Sequence, residues 1–180
     1  MRRGAVLSSH RRNSQMADDF LEALGKAIRE RGLRRVERDT RAKLWLLRNE
    51  KGGYLALIIK GHSVRYWGLR VPVYESVRAR CLERPALGLA VVFLSGEEGY
   101  VLARAEIDRH RNVWSTGNGG LEYKLTDREL SGFPSFWGAA QCAALVAAVA
   151  DDIGPSDEEL SVEIFKRPRS RRGSKPDDLV

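Results

Sequence analysis

The sequence contains little cysteine and histidine, and it has no long apolar run. Two cysteines in 180 residues are too few for a disulfide scaffold or for a cysteine-based zinc site. The three histidines lack the spacing of paired zinc ligands, and no stretch reaches the roughly 18 apolar residues that a membrane-spanning helix needs. We therefore expect a cytoplasmic protein that folds without a disulfide, a bound metal or another cofactor, and without a membrane.

The length and composition are those of one globular domain. A chain of 180 residues, 43% of them hydrophobic, can bury enough apolar surface to hold its own core. Helical and strand patterns alternate along it, so the sequence predicts a single α+β domain with a mixed sheet and flanking helices. Cys81 and Cys142 lie on apolar helix faces, where we expect unreactive thiols.

The net charge of +7 is concentrated at the two ends of the chain. Residues 1–16 carry four arginines and no acid, and residues 166–180 carry a net charge of +4. Without these two segments the remaining residues 17–165 have a net charge of −1. The sequence therefore predicts a globular domain over 17–165 between two disordered basic arms, which would bind phosphates or acidic surfaces.

The first half of the chain alternates between helical and strand patterns. Apolar residues at helical spacing predict a first helix, and Gly32 is a natural residue to end it. Two apolar runs separated by a glycine-containing turn predict a β-hairpin. The predicted elements are a helix over 18–32, strands over 43–49, 54–60 and 63–71, a helix over 72–84 and a strand over 87–95.

The second half contains one strongly apolar segment. Residues 136–150 hold a single polar side chain, Gln141, which predicts a helix buried nearly all round in the core. Residues 108–120 have the composition of a polar loop that ends in a glycine-rich turn. Residues 160–165 alternate between apolar and polar side chains and predict an edge strand.

The order of predicted elements over residues 18–95 is helix, three strands, helix and strand. This αβββαβ order resembles the common core of the restriction-endonuclease-like proteins, the PD-(D/E)xK superfamily. In that family an aspartate and an acid-x-lysine motif on the next strand bind magnesium, and the lysine orients the attacking water.

The resemblance implies candidate catalytic residues at three positions. Lys60 ends a predicted strand, as the lysine of the family does, and Asp39 and Glu50 are the candidate carboxylates. The position two residues before Lys60 is Ile58 rather than an acid, so the acid-x-lysine motif is not intact. The resemblance therefore implies a divalent-metal-dependent nuclease with a degenerate site, and Mg²⁺ would be its cofactor.

Basic side chains cluster in two parts of the predicted domain. Residues 26–43 hold eight basic residues and three acids, and five arginines lie in 65–84. Because guanidinium and ammonium groups bind phosphates, these clusters predict nucleic-acid contacts. The residues that we expect to make them are Arg34, Arg35, Arg38, Arg41, Lys60 and Arg65. Tyr66, Trp67 and Trp114 would stack on bases if they are exposed.

These patterns favour one function and leave two alternatives. The favoured one is a nucleic-acid-binding protein that contacts phosphates and has no intact catalytic motif. The first alternative is the degenerate nuclease. The second is an adaptor that docks a protein partner on residues 95–165, where thirteen acids stand against five basic residues. Salt-dependent binding of DNA or RNA separates the first function from the adaptor, and magnesium-dependent cleavage identifies the nuclease.

Overall fold

The computed structural model describes residues 3–40, 43–62 and 65–166. The helices are α1 (Arg3–Glu30), α2 (Val71–Leu82), α3 (Arg104–Arg109), α4 (Asp127–Leu130) and α5 (Gly138–Asp151). The strands are β1 (Arg34–Asp39), β2 (Leu44–Arg48), β3 (Tyr54–His62), β4 (Trp67–Arg70), β5 (Leu87–Ser95), β6 (Glu98–Ala103), β7 (Val113–Ser115), β8 (Leu121–Leu125) and β9 (Ser135–Trp137). A short 3-10 helix over Val162–Phe165 follows α5.

Six strands form the main sheet, in the order β1-β2-β3-β5-β6-β9. The neighbours β3 and β5 are parallel, and all other neighbouring strands of this sheet are antiparallel. At the turn of the β2–β3 hairpin, the amide of Asn49 donates a hydrogen bond to the carbonyl of Gly53 (2.9 Å). The mixed sheet and the hairpin confirm the sequence prediction of a single α+β domain.

Both faces of the main sheet are covered. Successive side chains of a strand point to opposite faces, and in β2, β3 and β5 both sets are apolar. On one face α1 and α5 pack against the sheet, and Leu24 and Leu57 belong to that core. On the other face lie α2, α3 and a smaller sheet, and Ile58 and Tyr74 belong to that core.

The smaller sheet is antiparallel and has the order β4-β8-β7. Four buried side chains of this sheet join the core that contains α2: Trp67, Leu69, Tyr123 and Leu125. A tight turn connects β7 to β8, in which the amide of Thr116 donates to the carbonyl of Gly120 (2.8 Å). The glycine-rich segment is therefore a hairpin turn, as predicted, and its outer side is open to solvent.

The predicted αβββαβ order is confirmed, with one strand exchanged. The sequence predicts no strand at Arg34–Asp39, because this segment lacks apolar alternation, yet β1 pairs with β2 there. An edge strand needs a partner on one side only, so it tolerates a polar sequence. The segment 63–71, predicted as the third strand of the main sheet, instead contributes β4 to the smaller sheet, where it pairs with β8. That partner lies far along the chain, where no local pattern can identify it.

Two segments near the ends of the domain also differ from their predicted form. α1 begins at Arg3 instead of residue 18, so its backbone is helical through most of the predicted arm 1–16. Residues 160–165 do not form the predicted edge strand, since the 3-10 helix occupies this segment. Residues 167–180 lie outside the described residues, so the basic tail and the domain boundaries remain predictions.

The C-terminal helix α5 is buried on one side only. Cys142 and Val146 are fully buried against α1 and the sheet, whereas Ala140 and Ala148 are exposed. The prediction that this helix is buried nearly all round is therefore wrong. Alanine counts as apolar in a sequence pattern, but exposing its single methyl group to water costs the fold little free energy. No helix in the described ranges combines the length and apolarity that crossing a membrane requires.

Both cysteines are buried, as the sequence predicted. Cys81 on α2 is 6% exposed, and Cys142 on α5 is 0% exposed. Burial raises the pKa of each thiol to about 12, so both are protonated at neutral pH. Neither group is placed to act as a nucleophile or as a metal ligand.

Candidate nucleic-acid interface

A basic groove runs between α1 and β1. Arg34, Arg35 and Arg38 are exposed on β1, which is an edge strand of the main sheet, and Arg29 lies in the last turn of α1. The groove that they line has a volume of about 730 Å³. Its other lining residues are Asp18, Leu21, Glu22 and Gly25. The structure therefore brings together three of the arginines predicted to contact nucleic acid and adds a fourth from α1.

Arg35 is held against the floor of this groove. Its guanidinium carbon lies 4.8 Å from the ring centroid of Trp45, which is a cation–π contact. The helix approaches closely at Gly25, where a β-carbon would lie 3.3 Å from Nη1 of Arg35. Partial burial lowers the pKa of Arg35, and the charges of Arg38 and Arg29 lower it further. Several cations are thus crowded together in a place where an anion would relieve their repulsion.

Four arginines of the second predicted cluster are neutralised by acids. The ion pairs are Arg65–Glu98 (2.7 Å), Arg78–Asp108 (2.9 Å), Arg80–Glu83 (3.2 Å) and Arg84–Glu158 (3.6 Å). In the part of the chain that the structure describes, Arg29, Arg34 and Arg38 form no ion pair. Among the described residues, the groove therefore holds four arginines without an ion pair beside two carboxylates, Asp18 and Glu22, whereas the charge of Arg65 is already balanced by Glu98. Arg41 lies outside the described residues.

Lys60 lies close to the C-terminal end of β3. The alternation along β3 places its side chain on the same face as Ile58, toward the smaller sheet. The side chain is half-buried, and burial lowers the pKa of Lys60. Glu122 on β8 opposes this shift, whereas Arg70 and Lys43 add to it. Lys60 is therefore surrounded by one carboxylate and two further cations.

The three candidate catalytic residues do not converge. Glu50 lies in the β2–β3 turn, at the end of the sheet opposite Lys60, and the intervening length of β3 is about 20 Å at roughly 3.3 Å per residue. Asp39 lies at the same end of the sheet as Lys60. In the strand register, however, Asp39 is aligned with Ile58 across two strand spacings, so the backbones of these two residues are about 10 Å apart. The main charged neighbours of Lys60 do not include Asp39 or Glu50.

The residues around Lys60 do not fit a magnesium ion. Mg²⁺ binds through several oxygen ligands, among which carboxylates provide the charge. Beside Lys60 there is the carboxylate of Glu122, while Arg70 and Lys43 would repel a cation. Across residues 3–40, 43–62 and 65–166, no three or more His, Cys, Asp or Glu side chains are grouped to hold a metal. The magnesium implied by the resemblance therefore finds no ligand set among these residues.

Of the three aromatic residues considered for base stacking, one is largely exposed. Trp114 on β7 is 54% exposed. Trp67 is only 4% exposed, and its Nε1 donates to Asp127 (2.6 Å), so it does not meet the condition of exposure on which stacking depends. Tyr66 is half-buried, and its hydroxyl donates a hydrogen bond to Glu122.

Glu122 is a residue of this region that the sequence did not single out. The alternation of LEYKL places Glu122 and Lys124 on the outer face of β8, where both would be expected in solvent. In the structure Glu122 is only 8% exposed and accepts the hydrogen bond of Tyr66, which lies 56 residues earlier in the chain. A buried carboxylate beside Lys60 thus arises from tertiary contacts alone.

Comparison with known proteins gives one structural similarity. No protein-family model matches the chain, and no curated protein matches it. The structure is similar to that of Hjc, a Holliday junction resolvase from the archaeal hyperthermophile Archaeoglobus fulgidus. The two chains are 12% identical with a TM-score of 0.44, over 71% of this chain and 98% of the resolvase.

Proposed function

We propose that the protein binds nucleic acid by contacting its phosphate backbone in the groove between α1 and β1. The observation that carries this proposal is the contrast between the arginines. Those of the groove form no ion pair within the described residues, whereas four arginines elsewhere are balanced by acids. Free guanidinium groups attract phosphate by charge and bind it with paired hydrogen bonds.

Further cations lie at the end of the sheet where β1 and β3 end, with Arg38 on the α1 face and Lys60 on the opposite face. Arg38 lies next to the end of β1, Lys43 immediately precedes β2, and Lys60 lies near the end of β3. Since β1 and β3 run in the same direction, these three cations lie at the same end of the sheet. A nucleic-acid backbone carries a phosphate about every 3.4 Å along each strand, so a backbone that passes around this end of the sheet would contact the groove first and Lys60 on the opposite face next. Such contacts carry no sequence information, and we expect binding without strong sequence preference.

Residues 95–165 present less unpaired negative charge to a protein partner than their composition predicts. Glu98, Asp108 and Glu158 each form an ion pair with an arginine of the same chain. A basic partner would have to compete with these internal pairs, which lowers the gain from docking. We therefore rank the adaptor below nucleic-acid binding, and a protein partner remains a prediction.

The proposal is tested by removing two arginines of the groove together, Arg34→Ala with Arg38→Ala. Each removes a phosphate contact, so we expect the affinity for a labelled 30-base-pair duplex to fall by about tenfold or more, which is about 1.4 kcal/mol. The slope of log affinity against log salt should become shallower by about 2, one for each contact. Fluorescence anisotropy over a series of salt concentrations measures both quantities.

The matched control removes the same charge from another surface, Arg80→Ala with Arg104→Ala. These arginines pair with Glu83 and Asp108, so we expect less than about a threefold loss of affinity. If both double variants lose the same affinity, binding depends on net charge rather than on the groove, and the proposal is wrong.

A second candidate function is cleavage of nucleic acid at the Lys60 end of the sheet. The observation in its favour is the half-buried Lys60 with its lowered pKa beside the carboxylate of Glu122, since perturbed ionisable pairs are enriched at functional sites. We rank it second because the surrounding side chains do not form a magnesium site.

Lys60→Ala separates the two functions. We expect this variant to lose less than about tenfold in affinity, because a single half-buried ammonium contributes at most one phosphate contact. We expect no cleavage of plasmid or single-stranded DNA by the wild type with Mg²⁺ or Mn²⁺. Cleavage by the wild type that disappears in Lys60→Ala would place the nuclease first.

A further inference from the structure

The outer face of the smaller sheet carries an aromatic and charged cluster apart from the basic groove. In the register of this sheet, Glu122 on β8 lies between Arg70 on β4 and Trp114 on β7. Lys124, two residues further along β8, lies on the same outer face. Tyr66 lies over Gly68, where a β-carbon would collide with the tyrosine ring. The absence of a side chain at Gly68 therefore leaves room for the ring of Tyr66.

The exposed ring of this cluster is that of Trp114. It is 54% exposed at the edge of the sheet, although burial of an indole is strongly favourable. The ammonium of Lys124 lies 5.6 Å from the centroid of Trp114 and 5.4 Å from that of Tyr66, so it lies between the two rings. An exposed aromatic ring with a cation over one of its faces suits a flat ligand that stacks on the ring and carries an anionic group.

Glu122 adds a hydrogen-bond acceptor to the same face. One of its carboxylate oxygens accepts the hydrogen bond of Tyr66. The other oxygen, Oε1, accepts no hydrogen bond from the side chains and backbone that the structure describes. Some of its surface remains accessible to solvent. This oxygen can accept an N–H from the edge of a nucleobase, as carboxylates do from the amino group of cytosine.

A cleft of about 420 Å³ adjoins the cluster, within the size range of small-molecule sites. Its polar lining residues are Arg70, Thr116, Asn118 and Glu122. The cations Lys124 and Arg70 outnumber the carboxylate Glu122 on this outer face, so the local charge favours an anionic ligand over a cationic one. The charge thus argues for a nucleotide and against a basic peptide.

We propose that this face binds an unpaired nucleobase of a single-stranded nucleic acid. The base stacks on Trp114, its edge donates to Glu122, and the adjoining phosphates contact Lys124 and Arg70. Bases of a duplex are already stacked and cannot lie on Trp114, so this face selects single-stranded segments. The inference rests on the proposed function in that nucleic acid is the ligand, and it adds a contact to the bases.

The test compares single-stranded and duplex oligonucleotides of the same length and sequence. Stacking on one aromatic side chain contributes about 1–3 kcal/mol per base, so Trp114→Ala should bind a 12-nucleotide single strand at least about fivefold more weakly. Binding of the duplex should change less than about twofold. Trp114→Phe should recover part of the loss, because it restores an aromatic ring. Because Trp114 is exposed, thermal unfolding should show that all variants fold.

Two controls isolate stacking from other effects. Trp137→Ala removes an indole that is 64% exposed on β9 of the main sheet, and it should bind the single strand as the wild type does. A single strand in which abasic sites replace the bases should bind equally to the wild type and to Trp114→Ala. A loss of affinity that persists with the abasic strand would overturn the inference.

The outcomes separate this inference from the proposed function. If Trp114→Ala binds the single strand as the wild type does while Arg34→Ala/Arg38→Ala weakens duplex binding, the stacking face is wrong and the groove stands. If Trp114→Ala alone weakens binding, the stacking face stands and the groove is wrong. If the wild type binds neither oligonucleotide, both are wrong.

Discussion

Val146→Asp should leave no folded protein. Val146 is fully buried on α5, in the core that α1 and α5 form with one face of the main sheet. A carboxylate at this position would have no partner and would cost more than about 4 kcal/mol, which approaches the whole stability of a typical domain, about 5–15 kcal/mol. We expect the variant to be insoluble or to lack a cooperative unfolding transition in circular dichroism.

The matched control places the same side chain on the opposite side of the same helix. Ala140 is exposed in the first turn of α5, where a negative charge interacts favourably with the helix dipole. We expect Ala140→Asp to change the free energy of unfolding by less than about 1 kcal/mol. A Val146→Asp protein that unfolds at the same temperature as the wild type would show that α5 does not pack as described.

Asn49→Ala should produce the second-largest loss of stability. Asn49 directly follows β2 in the β2–β3 hairpin and is only 9% exposed. Its Nδ2 donates to the carbonyls of Ala150 (2.8 Å) and Ile153 (2.9 Å) at the end of α5. Its Oδ1 accepts from the amide of Gly53 (2.8 Å) in the turn. One side chain therefore joins the hairpin turn to the C-terminus of the helix on one face of the sheet.

The alanine variant leaves two carbonyls and one amide without these partners. Since an unsatisfied buried polar group costs about 1–3 kcal/mol, and water can reach part of this site, we expect a total loss of about 2–4 kcal/mol. In urea this corresponds to a midpoint lower by about 1–2 M, at an m-value of about 2 kcal/mol/M.

Equilibrium unfolding in urea gives this result directly, and an exposed asparagine supplies the control. Asn118 lies in the turn between β7 and β8, and Asn118→Ala should change stability by less than about 0.5 kcal/mol. Equal midpoints for the two variants would contradict the role assigned to Asn49.

The sequence by itself determined the structure of those segments whose spacing of apolar residues and turn residues identifies a helix, a strand or a hairpin. The β2–β3 hairpin follows from two apolar runs around a glycine turn, and β5 follows from an apolar run too short for a helix. The αβββαβ order, the α+β class and the burial of Cys81 and Cys142 were all predicted from such local patterns. These features depend on near neighbours in the chain, whose order is visible in the sequence.

The composition also identified the arginine-rich segments, but it did not show which charges are free. Arg65 and Arg34 are equivalent in the sequence, since each lies in a basic cluster. The fold places Glu98 beside Arg65, whereas it places no acid in ion-pair distance of Arg34 among the described residues. Electrostatic compensation depends on distances in space, and only the tertiary structure decides it.

The remaining features depend on pairs of segments that are far apart in the chain. Asn49 binds the carbonyl of Ala150, 101 residues later, and Tyr66 donates to Glu122, 56 residues later. The polar strand β1 exists because β2 supplies its hydrogen-bonding partner, and β4 leaves the main sheet because it pairs with β8. A hydrogen bond or a buried carboxylate is stable only when both partners are in place, so a single segment cannot specify it. For this reason the sequence located the basic surface, whereas the tertiary structure formed the groove and the stacking face.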